Sequence, residues 1–330
     1  MNEDPLSDAL RRALAGERAA LARVITFLES QRDEDSTPQL KLLEQLLNPA
    51  RKTLRVGITG LPGAGKSTLI DELGTQFIAA GHRVAVLAID PSSSVSGGSI
   101  LGDKTRMERL AAHPHAFVRP TPTGGFLGGT STSSREACIA VEAAGYDVVL
   151  IETVGVGQSE AAVRDLVDVV VLVTLTGGGD ELQGMKRGLI ELADIVVVNK
   201  ADGENLTRAE NLKTELIVSI RALTSYLPGW SVPVLALSAL SAPGVTKLRE
   251  AIEACAECAR SSSFQGASLF ENLRCHQDVK WCEARILRAV RSWAFRGRAR
   301  TAYEQACDLV RKGQISIPQA VERVLAVLRG

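Results

Sequence analysis

Residues 54–68 read LRVGITGLPGAGKST, and the fold is legible outward from this stretch. LRVGIT is an apolar, β-branched run of strand length. GLPGAGKST follows at once, and STLIDELGTQFIAAG then carries helical spacing. Strand, glycine-rich loop and helix start in direct succession satisfy G-x-x-x-x-G-K-[ST] in the context it needs. Glycines let consecutive N–H groups turn inward around an anion where a side chain would collide. The first amides and the dipole of the helix add to the same site. The candidate phosphate-binding residues are therefore Gly60, Leu61, Pro62, Gly63, Ala64, Gly65, Lys66, Ser67 and Thr68. Lys66 would reach the β- and γ-phosphates, and Ser67 would offer its hydroxyl to Mg²⁺. The bland alternative, a glycine-rich turn with no ligand, does not account for the strand and helix on either side.

Around this unit, RVAVLAID, YDVVLIET, VDVVVLVTL, DIVVVNK and VPVLALSA are further strand-length runs, separated by helical stretches. They are continuously apolar rather than alternating, as expected when helices cover both faces of a parallel sheet. The spacing predicts a doubly wound, mostly parallel α/β P-loop domain over residues 51–260. Residues 1–50 read as a helical extension, with Leu14, Leu21, Val24, Ile25 and Leu28 along one face. Residues 261–330 show no further strand pattern and read as helices. Their apolar faces require cover, from a second copy of the chain or from the chain's own core.

Composition excludes several classes. The chain has 330 residues, 45% hydrophobic and 23% charged, ordinary for a soluble globular protein. Its 38 basic and 38 acidic side chains cancel, leaving no general electrostatic footprint for nucleic acid. No apolar run reaches membrane-spanning length, and MNEDPLSDAL has no signal-peptide pattern. Six cysteines without framework spacing suit a reducing cytoplasm. Cys255 and Cys258 form a C-x-x-C inside the helical run AIEACAECAR, where two small apolar residues explain them better than a redox pair.

A second site is written in VVVNKAD. Asn199, Lys200 and Asp202 form N-K-x-D at a strand end. The Asp202 carboxylate can accept from both N1–H and the 2-amino group of guanine, a donor pair adenine lacks. Adenine would leave that carboxylate unpaired, at about 1–3 kcal/mol or more. The stem of Lys200 would cover the ring, and Ser238, Ala239 and Leu240 follow the last strand, placed to approach the base edge. GTP and GDP are favoured over adenine nucleotides.

Glu152 ends the strand YDVVLIET and fits the acidic position that holds Mg²⁺ directly or through water. With Lys66 it is the candidate catalytic pair. Asp90 ends the neighbouring strand. Asp103 lies beyond a serine- and glycine-rich loop, as a metal ligand or as the cap of KTRMERL. GGGDELQGMKRG, residues 177–188, joins two buried strands with three leading glycines and a polar run. Its Asp180, Glu181, Gln183, Lys186 and Arg187 suit a two-state element, or a generous turn into a solvated helix.

Together GLPGAGKST, IDPSSSVSGGSILGDKTRM, RPTPTGGFLGGTS, IETVGVGQSE, GGGDELQGMKRG and NKADG closely resemble the MeaB/ArgK family, which includes MMAA-like proteins. The resemblance runs from about residue 10 to 300 and is densest over 55–205. It implies a GTPase of the SIMIBI class that is a chaperone of an adenosylcobalamin-dependent acyl-CoA mutase of the methylmalonyl-CoA mutase type. Such a protein gates cofactor loading and protects or reactivates the mutase. The resemblance also implies a homodimer formed through C-terminal helices, with QDVKW (Gln277–Trp281) opening that region. It implies a metal site of Ser67, Asp90, Asp103 and Glu152, and a third switch at residues 177–188 in which Lys186 signals to the mutase. Two other readings of the fold are a nickel-type metallochaperone GTPase and a small-molecule kinase. Only four histidines are present, and N-K-x-D disfavours an ATP kinase.

Overall fold

The computed structural model describes residues 5–30, 32, 35–48, 53–90, 107–122, 130–153, 163–176, 187–221, 227–264 and 266–329. Three helices lead: α1 (Pro5–Leu14), α2 (Arg18–Leu28) and α3 (Ser36–Leu46). Gly16, at φ +93, splits the first amphipathic run, a backbone state that glycine takes without a Cβ penalty. The break resets the helical phase. Leu21, Val24, Ile25 and Leu28 are buried as their spacing predicts, whereas Leu14 is 47% exposed.

The sheet domain follows as β1 (Leu54–Gly60), α4 (Lys66–Ala79), β2 (Val84–Asp90), α5 (Glu108–Ala112), β3 (Ala116–Pro122), α6 (Thr130–Ala143), β4 (Val148–Thr153), β5 (Val169–Leu175), α7 (Arg187–Leu192), β6 (Ile195–Asn199), α8 (Leu206–Arg221), β7 (Val234–Ala236) and α9 (Ala242–Ser261). Among the described residues, seven strands form one sheet in the order β3-β2-β4-β1-β5-β6-β7, and every pairing is parallel. The strand that feeds the glycine loop is central, between β4 and β5. All strand C-termini therefore open on one rim, where ligands of doubly wound sheets bind.

Both faces are covered, which explains the unbroken apolar runs. One face packs Val56, Ile58, Leu150 and Val171 under α4 and α9. The other packs Leu87, Val149, Ile151 and Val170 under α6 and the N-terminal helices. α8 closes a third cluster over β6 and β7.

Two features depart from the sequence reading. β3 has no counterpart in it, because Pro120 and Pro122 erase the strand pattern; proline is tolerated there because β3 is an edge strand. A short antiparallel pair, β8 (Ser263–Phe264) with β9 (Ala267–Ser268), stands where the sequence suggests only helix. Gly266, at φ +86, turns this hairpin. It leads into α10 (Leu269–Ala294), whose capping box joins Ser268 and Glu271. α11 (Gly297–Arg311) and α12 (Ile317–Arg329) then pack against each other. Among the described residues, no helix is long and apolar enough to cross a membrane.

Candidate functional site

The glycine loop is shaped by what it touches. Gly60 ends β1 at φ +136, and a Cβ there would lie 1.9 Å from the carbonyl oxygen of Val173 on β5. The Leu61 N–H donates to that same oxygen at 3.3 Å. Gly65, at φ +82, precedes α4, and a Cβ on it would meet Asn199 Nδ2 at 2.7 Å. Both glycines are therefore required by close approach as well as by backbone angle.

Lys66 opens α4 and is buried; its Nζ donates to the carbonyls of Gly60 and Leu61, each at 3.0 Å. Its ammonium is held over the loop by the loop's own backbone. Ser67 Oγ donates to Glu152 Oε1 at 2.8 Å, across 85 residues of sequence. Glu152 stands on β4 in register with Ile58 of β1 and Ala88 of β2. The parallel register thus brings the end of β4 to the start of α4.

Asn199, Lys200 and Asp202 sit on the same rim. The Asn199 amide donates to the Ala64 carbonyl at 2.7 Å, and its Oδ1 accepts from the Ala239 N–H at 2.9 Å. One buried side chain therefore ties the phosphate loop to the segment after β7. Lys200 has φ 59, a left-handed state, and its Cε lies 3.9 Å from where a Cβ on Gly65 would stand. Ser238 Oγ donates to the Asp202 carboxylate and accepts from the Leu240 N–H at 3.3 Å. The Asp202 carboxylate and the residues 238–240 thus form one hydrogen-bonded unit, with β7 ending early at Ala236 to let the chain turn into it.

Sequence reasoning assigns Asn199 to the base motif without giving it this bridging task. Its partners lie 135 and 40 residues away, so no local signal could have found it. A second unforeseen contact is Asp71 on α4, which accepts from Leu110 N–H at 3.0 Å and from Arg109 Nε at 2.8 Å. It fixes the start of α5 against the phosphate-loop helix.

Some expected residues are not part of this geometry. Asp90 closes β2 beside Pro122 of β3, but its side chain lies outside the described residues. So do Asp103, Asp180, Glu181, Gln183 and Lys186, and the side chain of Arg187. Of the expected metal ligands, Ser67 and Glu152 are described with their side chains. Among the described residues, no group of three His, Cys, Asp or Glu comes together to hold a metal. On α9, Cys255 is buried and Cys258 half-buried, and burial pushes the Cys255 thiol up, away from the reactive thiolate.

The family model described as methylmalonyl Co-A mutase-associated GTPase MeaB matches residues 21–295. The chain belongs to this family. A probable GTPase of Mycobacterium tuberculosis is 46% identical over 329 residues, covering 99% of this chain and 96% of the relative. Escherichia coli GTPase ArgK is 43% identical, covering 85% and 83%. The methylmalonic aciduria type A homolog of Mus musculus, a mitochondrial protein, is 46% identical over 71% of this chain and 59% of its own length. A crystal structure of an LAO/AO transport system kinase superposes with a TM-score of 0.72 at 32% identity, covering 100% of this chain and 99% of that one. MeaB-family membership makes the chain a GTPase, and the rim described above is where the phosphate loop and N-K-x-D of such a protein meet.

Proposed function

We propose that this GTPase is a chaperone of an adenosylcobalamin-dependent acyl-CoA mutase of the methylmalonyl-CoA mutase type, acting in the cytoplasm as a homodimer. It gates cofactor loading and protects or reactivates the mutase. The observation that carries the nucleotide part is the Asn199 bridge between Ala64 and Ala239, which couples the phosphate loop to the base loop. A nucleotide held at both ends would be sensed by one continuous network.

Within that reading, the backbone of residues 60–68 binds the phosphates, and Lys66 exchanges its two loop carbonyls for phosphate oxygens. Asp202, pre-oriented by Ser238, reads guanine. Ser67 Oγ and Glu152 Oε1, 2.8 Å apart, are hard oxygen donors and fit Mg²⁺. When bound, the ion supplies charge neutralisation between phosphates; Asp90 and Asp103 complete its proposed ligand set. Residues 177–188, with Asp180, Glu181, Gln183, Lys186 and Arg187, are the proposed route from nucleotide to mutase.

The domain division that goes with this reading is a helical extension over 1–50, the GTPase unit over 51–260 and a dimerisation region over 261–330. Support for the last comes from exposed Val279, Ile286, Leu287, Val290 and Trp293 on α10, with Ile317 and Val321 on α12. Large apolar side chains gathered on an exposed helix are a feature of protein contacts.

The test is GTP hydrolysis with and without candidate mutases, methylmalonyl-CoA mutase first. Stimulation by a mutase is the expected result, abolished in Lys66→Ala. Lys186→Ala should keep its intrinsic rate and lose the stimulated one. Absence of stimulation by any acyl-CoA mutase would remove the chaperone assignment and leave the GTPase intact.

A further inference from the structure

Residues 163–168 form a junction between the nucleotide site and the C-terminal helices. β4 delivers Glu152 to Ser67 at the rim, and after residues 154–162 the chain is back on the sheet at Val163. The short 3-10 turn Val163–Asp165 and the run up to Asp168 lie against β1, the strand that feeds the phosphate loop. Gly57 permits that approach: a Cβ on it would stand 2.7 Å from a methyl of Val163 and 3.1 Å from one of Val167. At the end of the run, Asp168 pairs with the backbone of Arg55, its N–H donating at 2.9 Å and its carboxylate accepting at 2.7 Å. Arg164 is tied to Asp194 ahead of β6, with Nη2 donating to Oδ1 at 3.0 Å.

α10 holds the same run from outside. The buried Gln277 amide donates to the carbonyls of Arg164 at 3.0 Å and Val167 at 2.7 Å. Lys280 Nζ donates to the Asp165 carboxylate at 2.7 Å. Arg274 reaches the Asp168 carboxylate through Nε at 2.5 Å and Nη2 at 2.7 Å. Arg164, Asp165, Val167 and Asp168 are therefore all held from about two turns of one helix. Apolar packing would suffice to cover a sheet, and it is non-directional. Hydrogen bonds to a segment's carbonyls and carboxylates fix its position as well. Farther along α10 the polar contacts go elsewhere, as with Arg288, which donates to the carbonyl of Ser30 at 2.7 Å.

We propose that Gln277, Lys280 and Arg274 are positioning residues for GTP hydrolysis, which hold residues 164–168 on β1 and so fix the far end of the stretch that leaves Glu152. Among the described residues, none of the three donates to the phosphate loop or the base loop, so they act through the segment. A stretch fixed at both ends has fewer conformations than one fixed at a single end. Geometry held in advance raises the rate of the chemical step without tightening the binding of the ground state. Loosening the segment should therefore slow hydrolysis and spare nucleotide affinity. This coupling rests on the proposed role of Glu152 at Mg²⁺. α10 runs on to the exposed side chains Ile286, Leu287 and Trp293. A contact that shifts the helix from that face would reach the hydrolytic site by the same route.

Single-turnover GTP hydrolysis by the full-length protein with Mg²⁺, measured well below each variant's melting midpoint, tests the coupling beside GTP and GDP affinity. Gln277→Ala should lower the rate on the order of tenfold and leave both affinities within about twofold of wild type. Lys280→Gln removes a partly exposed ion pair and should slow hydrolysis by about twofold to fivefold; it serves on its own where Gln277→Ala does not fold. Arg288→Gln loosens α10 without touching residues 164–168 and should keep the wild-type rate. Wild-type rates in both Gln277→Ala and Lys280→Gln, affinity lost in step with rate, or equal slowing in Arg288→Gln would each overturn the proposal. Glu152→Gln, run alongside, separates the two readings. Turnover retained in Glu152→Gln would sink the site reading and the proposal with it. Turnover lost there, with the α10 variants at wild-type rates, would overturn the positioning role alone.

Discussion

At the scale of single residues, the site is a set of close approaches rather than a set of free side chains. Gly65 illustrates the point: at its φ of +82, the methyl carbon of an alanine would stand 2.7 Å from Asn199 Nδ2, so the Asn199 amide would have to shift. Gly65→Ala should therefore disturb the loop and the Asn199 bridge together, at about 1–2 kcal/mol of backbone strain alone. Isothermal titration should register this as GTP and GDP affinity weakened tenfold or more, with the melting temperature lowered by a few degrees. Asp202 offers a sharper test because its role is a donor–acceptor match. Asp202→Asn should weaken GTP and admit xanthosine triphosphate, whose 2-oxo group replaces the amine. Competition binding that found the guanine preference intact would refute the contact. Both residues stand out in the sequence, since glycines before G-K-[ST] and aspartate in N-K-x-D carry their meaning locally.

Elements are where most of the long-range wiring appears. α10 is attached to the core by Gln277, whose buried amide donates to the carbonyls of Arg164 at 3.0 Å and Val167 at 2.7 Å. Beside it, Arg274 reaches the carboxylate of Asp168, with Nε at 2.5 Å and Nη2 at 2.7 Å, and Asp168 also accepts from the Arg55 N–H at 2.7 Å. A helix that reads in sequence as an ordinary amphipathic segment is thus anchored to the starts of β1 and β5. Gln277→Ala would leave two buried carbonyls without that donor, costing about 1–3 kcal/mol. Urea unfolding should show a lower midpoint at an unchanged slope. The resemblance places the opening of the dimerisation region at Gln277–Trp281; the contacts show that these residues also serve the chain's own core. β3 teaches the converse. Its prolines hide a strand that only its place at the sheet edge permits.

For the whole molecule, the balance lies between the covered sheet and the uncovered C-terminal helices. The sheet buries both faces, and its core contains the N-terminal helices and Trp281 of α10 as well. Beyond that point α10 exposes Ile286, Leu287 and Trp293, the last at 64%. Covering such side chains contributes about 1.5–3 kcal/mol each. On the proposed dimer, Ile286→Asp with Trp293→Asp should yield a monomer by light scattering while intrinsic GTP hydrolysis per chain is retained. A dimer of unchanged stability would show that these residues face solvent in solution. The doubly wound architecture, the phosphate loop and the guanine motif were all legible in the chain, because each depends on residues adjacent in sequence or on a repeating apolar period. Tertiary structure alone decided that Asn199 joins two loops, that Ser67 meets Glu152, that Gln277 anchors α10 and that Arg274 meets Asp168. Those pairings bridge tens to well over a hundred residues, and only the order of strands in the sheet and the helices laid across it bring them within a hydrogen bond or an ion pair.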